Sequence, residues 1–190
     1  LFRSSVTLDI LAEIVDNPAF QELRTKQQLG YIVFTGVRHM ENVAGLRFIV
    51  QSSVATPDDL EERIEAFLED FHSILNSLSP EEFLNFVNAQ IAKKEEQDRR
   101  LSAQGDRFWA EILSPYMWKR KDVVKELKTL TLEDVLDLYQ KCVRKNGENR
   151  RKFVSKVYDA SVMSKGQTFS TEAIEITDLT EFRKIGRAHV

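Results

Sequence analysis

The chain is predicted to fold as an α+β domain, with helices packed on one face of a mainly antiparallel sheet. Three observations predict this. Two runs rich in Ile, Val and Phe, near residues 30–39 and 44–53, read as strands close enough in sequence to pair as a hairpin. Amphipathic helical patterns with N-cap signals follow them. A last β-type run around Phe153, Val157 and Tyr158 returns the chain to the sheet. Strands early, helices after them and a returning strand describe a two-layer α+β arrangement.

Each element has a local cause. Leu8, Leu11, Ile14 and Val15 recur at helical spacing, so an opening helix is expected over about 5–16. Pro18 is expected to interrupt it, because the pyrrolidine ring removes an amide donor. A second short helical piece then runs to about Gln28. The stretch Met40 to Ala44 reads as the hairpin connection, which makes the strand pair antiparallel. Thr56-Pro57-Asp58-Asp59 sets a hydroxyl at the N-cap, proline at the first helical position and a carboxylate at the third. Ser79-Pro80-Glu81-Glu82 repeats the pattern, and Thr131-Leu132-Glu133-Asp134 gives a weaker version. Behind the first cap, Leu60, Ile64, Phe67, Leu68, Phe71, Ile74, Leu75 and Leu78 form an apolar stripe. Phe83, Leu84, Phe86, Val87 and Ile91 form one behind the second. A further helix is expected over 101–113, with Pro115 helping to end it. Another is marked by Val135, Leu136, Leu138, Tyr139 and Val143, with Asn146-Gly147 as its stop. From 161 to 180 the apolar density falls and an extended connection is expected, anchored by a short strand at 173–176.

Composition excludes several classes. Of 190 residues, 42% are apolar and 30% charged, an ordinary balance for a globular protein. A net charge of −3 supplies no field to attract nucleic acid. No apolar run reaches the ~20 residues that span a bilayer. The lone Cys142 cannot form an internal disulfide, and its place in an apolar helical pattern suits a small buried hydrophobe.

One junction carries chemistry. Leu23-Arg24-Thr25-Lys26-Gln27-Gln28-Leu29-Gly30-Tyr31 lies where a helical pattern gives way to the first strand. Arg24 presents five fixed donors for carbonyl or carboxylate oxygens, and Tyr31 one directional donor. Gly30 lets another backbone come close, having no Cβ. The set suits grasping an extended peptide and holds no nucleophile, base or metal ligand. The plainer reading is a helix-to-strand turn with an exposed Arg, salt-bridged to Glu22 or another carboxylate, and a half-buried Tyr.

The run from Pro18 to Gln51, including Gln-Glu-Leu-Arg-Thr-Lys-Gln-Gln-Leu-Gly-Tyr-Ile-Val-Phe and Gly-Leu-Arg-Phe-Ile-Val-Gln, resembles the insulysin family, inverzincin zinc peptidases of the pitrilysin group. Arg63 to Leu68, Leu101-Ser102-Ala103, Trp109 to Ile112 and Leu127 to Thr131 extend the resemblance in order, so that it runs from about Ser5 to Lys184. It implies the last part of the C-terminal half of a clamshell enzyme, with a further strand before residue 1. Without that strand a sheet position is left open, and the isolated chain is expected to be marginally stable or aggregation-prone. The resemblance also implies that zinc is held by the N-terminal half, through His-x-x-Glu-His. Arg24 and Tyr31 then reach across the chamber to the substrate backbone, with Tyr31 as a transition-state donor. Basic chamber surfaces in the family make Arg99 and Arg100, in the cluster with Lys93 and Lys94, candidates for anion binding. The implied partners are peptide substrates, the N-terminal half and, as an open expectation, a second copy; neither nucleic acid nor membrane is expected.

His39, His72 and His189 lie too far apart in sequence for the paired imidazoles of a zinc site, so no metal ligand is expected here and the fragment alone is expected to be inactive. Phe108 and Trp109 are expected in core or interlobe packing. The expected organisation is a peptidase-like domain over 1–160, incomplete at its N-terminus, a tail over 161–184, and non-native residues at 185–190. A cytoplasmic location is expected from the single cysteine and the resemblance. The competing reading is a catalytically silent α+β interaction module of the same superfamily.

Overall fold

The computed structural model describes residues 2–40, 43–113 and 120–159. Residues 1–156 cluster as one compact unit and 157–190 as a second; the second is described only at 157–159. In the first unit, helix α1 (Phe2–Ala19) leads into a wide π-type helical turn over Phe20–Lys26. Strands β1 (Ile32–Met40) and β2 (Val43–Gln51) follow, then helices α2 (Pro57–Ser77), α3 (Pro80–Glu95), α4 (Leu101–Leu113), α5 (Arg120–Leu127) and α6 (Leu132–Leu138). A second π-type turn closes α6 over Tyr139–Val143.

β1 and β2 pair antiparallel, from Ile32 opposite Gln51 to Met40 opposite Val43. Because side chains alternate across a strand, Val33, Val37, Ala44, Leu46, Phe48 and Val50 face the helices and pack on the core. Ile32, Phe34, Val43 and Ile49 face away and are exposed. The helices therefore lie on one face of an antiparallel sheet, the predicted α+β class. The core is centred on α1, α2 and α6: Ile10, Leu11, Val15, Leu23, Phe71, Leu75 and Tyr139 are fully buried. Phe71 meets Phe67 and Tyr139 at centroid separations of 5.8 and 5.7 Å, contacts worth about 0.5–1.5 kcal/mol each beyond their area.

All three capping boxes form. The side chains of Thr56, Ser79 and Thr131 accept from the amides of Asp59, Glu82 and Asp134. Arg3 extends the third cap, donating to Asp134 at 2.7 Å and tying the start of α1 to α6.

Two expectations need correction. Pro18 does not interrupt α1, which runs through it to Ala19. The ladder widens downstream instead, in the π-type turn, so the helical rod reaches the hairpin without a break. The expected last strand does not form: 151–159 carries no strand. Its lysines dock on the acidic flank of α2, Lys152 on Glu65 at 3.0 Å and Lys156 on Asp58 at 2.6 Å, and no third strand among the described residues offers a ladder. Helix α4 buries none of its residues, so of the two packing roles expected for Phe108 and Trp109 the core one is not met and the interlobe one stays an expectation; Trp109 is 61% exposed. Helix α5 was not anticipated. The hairpin tip, Pro115 to Lys119 and the 173–176 strand lie outside the described residues.

Candidate functional site

Leu23 and Leu29 are buried and pin both ends of the helix-to-strand junction. The amide of Leu29 donates to the carbonyl of Leu23 at 3.1 Å, and that of Gln27 to Glu22 at 3.0 Å. Gln28 sits at φ 53°, a left-handed conformation that non-glycine residues adopt rarely, and there the chain leaves the helix for β1. Gly30 then passes the end of β2 so closely that a Cβ would stand 1.9 Å from the carbonyl oxygen of Gln51. That contact is the close backbone approach read from the sequence, and only glycine allows it. Tyr31 follows and is 84% exposed, not half-buried.

The junction brings Arg24 and Tyr31 together. The guanidinium carbon of Arg24 lies 4.8 Å from the centroid of Phe20 and 5.1 Å from that of Tyr31. Phe20 and Arg24 are four residues apart and share a helical face. Stacked contacts of this kind contribute about 0.5–1 kcal/mol at exposed sites. They restrain the guanidinium while using none of its N–H donors on a described carboxylate. No described carboxylate pairs with Arg24. Glu22 is engaged by Lys26 at 2.9 Å and by Gln27 at 3.1 Å; these bonds, Lys26 first, hold its carboxyl below the usual range. The expected structural salt bridge from Arg24 to Glu22 is therefore not formed.

The other candidates are dispersed. Arg99 is exposed and reaches Glu96 at 3.4 Å, and Arg100 is exposed. Their neighbour Asp98 is taken by Arg107 at 2.8 Å and Arg120 at 3.2 Å, bonds that pull its carboxyl below the usual range with Arg107 foremost. Lys93 and Lys94 instead line a groove of about 1010 Å³ between α1, the β1 edge that β2 leaves open, and α3 to α5.

His39 faces Asp9 at 3.6 Å. His72 stacks on Tyr139 at 5.9 Å and bonds Asn76 at 3.0 Å. Among the described residues no three His, Cys, Asp or Glu side chains converge as a metal site. Burial pushes the Cys142 thiol up, away from thiolate chemistry. Sequence reading missed Phe20, which stacks on Arg24, and the pairing of Arg47 with Phe34 across the hairpin. The i, i+4 spacing of Phe20 and Arg24 was the available signal for the first; the second depends on strand register.

This layer pattern is that of a pitrilysin-type peptidase lobe. The crystal structure of pitrilysin aligns with a TM-score of 0.68 at 26% identity, over 75% of this chain and 15% of that one. Residues 10–109 match the family described as PQQ synthase PqqF-like, C-terminal lobe domain 4. Insulin-degrading enzyme of Mus musculus is 37% identical over 76% of this chain and 14% of its own length. That of Drosophila melanogaster is 32% identical over 96% of this chain and 18% of its own. The chain belongs to the insulysin/pitrilysin metallopeptidase family, as a C-terminal part of such a protease. It spans less than a fifth of the length of these two relatives.

Proposed function

We propose that this chain is the substrate-clamping portion of a zinc metalloendopeptidase that degrades short, flexible peptides. Arg24 and Tyr31 hold the substrate backbone beside the bond to be cut. The metal and the activation of water belong to another half of the same enzyme, so these residues alone do not hydrolyse peptides. The observation that carries the reading is the Arg24–Tyr31 pair. A guanidinium without a carboxylate partner among the described residues stacks on an exposed phenol, at a junction whose flanking leucines are buried and rigidly bonded.

The chemistry is that of positioned donors. As a peptide carbonyl becomes tetrahedral its oxygen gains negative charge, and a donor aimed at that oxygen binds the transition state more tightly than the ground state. Tyr31 supplies one O–H and Arg24 several N–H donors. The stacked arrangement restricts both before substrate arrives, which lowers the entropy lost on binding.

Replacing Tyr31 by Phe in the full-length enzyme tests this. Loss of one transition-state donor typically costs about 2.7–4 kcal/mol of barrier, so kcat is expected to fall by two to three orders of magnitude while zinc content stays at the wild-type level. An unchanged kcat/KM with a peptide substrate would exclude the role. The silent interaction module is separated by the same assay: it requires that the full-length protein cleave no peptide at all.

A further inference from the structure

Gln27 stands between the two clamp residues, three positions after Arg24 and four before Tyr31, and its side chain is bonded at both ends. The amide nitrogen donates to Glu22 Oε1 at 3.1 Å, and the amide oxygen accepts from Arg63 Nη1 of α2 at 3.1 Å. A primary amide suits this place because it donates to an anion and accepts from a cation at once. The two charges also fix its orientation, since the reversed amide would set oxygen against carboxylate and N–H against guanidinium.

Gln27 thereby ties the π-type turn to α2 at the point where the chain changes direction. The next residue, Gln28, holds its left-handed φ of 53°, a conformation that persists in a non-glycine residue only where its surroundings impose it. Beyond Gln28, Gly30 rests against the carbonyl of Gln51 at the end of β2. From Gln51 the chain reaches α2 through a short braced loop. The Ser52 hydroxyl accepts from the amides of Val54 and Ala55 at 3.1 and 3.0 Å, and the Thr56 capping box then starts the helix. Phe67, four residues after Arg63, packs edge-on against Phe48 of β2 at a centroid separation of 6.2 Å. One braced segment thus meets the junction twice, at Gly30 through Gln51 and at Gln27 through Arg63. The burial of Leu23 and Leu29 is non-directional, whereas the Gln27–Arg63 bond is directional and sets the course of the chain into Tyr31.

We propose that Gln27 and Arg63 are positioning residues for peptide cleavage: their hydrogen bond fixes the turn that aims Arg24 and Tyr31 at the substrate backbone. The inference rests on the reading that Arg24 and Tyr31 form the clamp. Neither Gln27 nor Arg63 touches substrate in this account. Their contribution is the placement of donors, and displacement of a catalytic group by about 1 Å can cost on the order of a hundredfold in rate.

The test uses the full-length, zinc-loaded enzyme and a peptide substrate, with kcat, KM and the unfolding transition followed for each variant. Gln27→Met and Arg63→Met are each expected to lower kcat by about tenfold to a hundredfold, with kcat/KM falling in parallel, as for donors engaged in the transition state. Gln27→Glu keeps an acceptor facing Arg63 and is expected to lose less than Gln27→Met. In a Tyr31→Phe background the phenol donor is already gone, so the further loss from Gln27→Met is expected to shrink to about twofold or less. A merely structural role would cost the same factor in both backgrounds. Should Gln27→Met fail to fold, Arg63→Met, at an exposed helix position, carries the same comparison. Full turnover in Gln27→Met and Arg63→Met overturns the inference. Equal losses with and without the Tyr31 hydroxyl, equal losses in Gln27→Glu and Gln27→Met, or a loss matched by the unfolded fraction do so too. If Tyr31→Phe is slowed while Gln27→Met is not, Gln27 alone is dismissed; if Tyr31→Phe is not slowed, the clamp reading fails and takes this inference with it.

Discussion

The two sides of the hairpin follow different rules. On the helix side, Val33, Val37, Leu46, Phe48 and Val50 pack against a core whose central members are fully buried, and the buried Thr35 hydroxyl donates to Asp16. On the open side and at its entrance, Arg24 and Arg47 have no carboxylate among the described residues, and Phe34 and Tyr31 stand exposed. Local consistency of pattern, burial and polar pairing marks structure that needs nothing further, and its systematic breach marks a surface awaiting a partner. Both breaches here are cations stacked on aromatic rings, a geometry that keeps the charge oriented and its donors free. The proposed clamp draws on these exposed residues and not on the core.

That contrast can be broken by substitutions that should separate stability from turnover, all measured in the full-length enzyme. Phe71→Ala on the core side should have the largest effect, about 3–5 kcal/mol of stability, as expected for removing a buried aromatic ring; denaturant unfolding measures it. A loss below ~1 kcal/mol would mean that the core is less closely packed than its burial implies. Tyr31→Phe should do the reverse, raising the barrier by about 2.7–4 kcal/mol with no shift in the unfolding midpoint, since the side chain is 84% exposed.

Gly30→Ala should affect both sides. Its Cβ would collide with the backbone of Gln51, so overpacking of about 1–3 kcal/mol is expected, together with slower turnover because Tyr31 is carried out of place. Stability loss without any loss of turnover would detach Gly30 from the site. The smallest effect is expected on the acidic flank of α2. Burial works against ionisation of Glu65, but hydrogen bonds from Arg150 and Lys152 outweigh it and hold its carboxyl below the ordinary 4.5. A depressed folded-state pKa contributes stability that is present above the ordinary value and lost as pH falls through the folded one. Glu65→Gln should therefore cost on the order of 1 kcal/mol near neutrality and progressively less below pH 4.5, read from unfolding midpoints across a pH series.

Much of this was legible in the sequence because its causes are local. The three capping boxes follow from four-residue patterns, and the close approach at Gly30 from the absence of a Cβ next to a strand. What escaped depended on partners distant in the chain. Pro18 stays inside a helix because the segment after it widens rather than ends. The run around Phe153 has strand composition, yet its lysines and Arg150 find α2 carboxylates about 90 residues away, and composition does not encode that docking. Arg24 and Tyr31 were visible as residue types, whereas the contact of Arg24 with both Phe20 and Tyr31 needed the π-type turn. Arg47 reads as one more strand residue until register sets it opposite Gly36 and beside Phe34.

The most direct test of the clamp is a double-mutant cycle on Arg24→Ala and Tyr31→Phe in the full-length enzyme, following kcat/KM and the unfolding midpoint together. If the pair grips one substrate carbonyl, each single variant loses turnover, the double variant is scarcely slower than the worse single, and stability falls by no more than about 1 kcal/mol, the scale of the lost stacking. Unchanged turnover in both single variants, or a loss of activity that simply tracks a loss of folded enzyme, would contradict it.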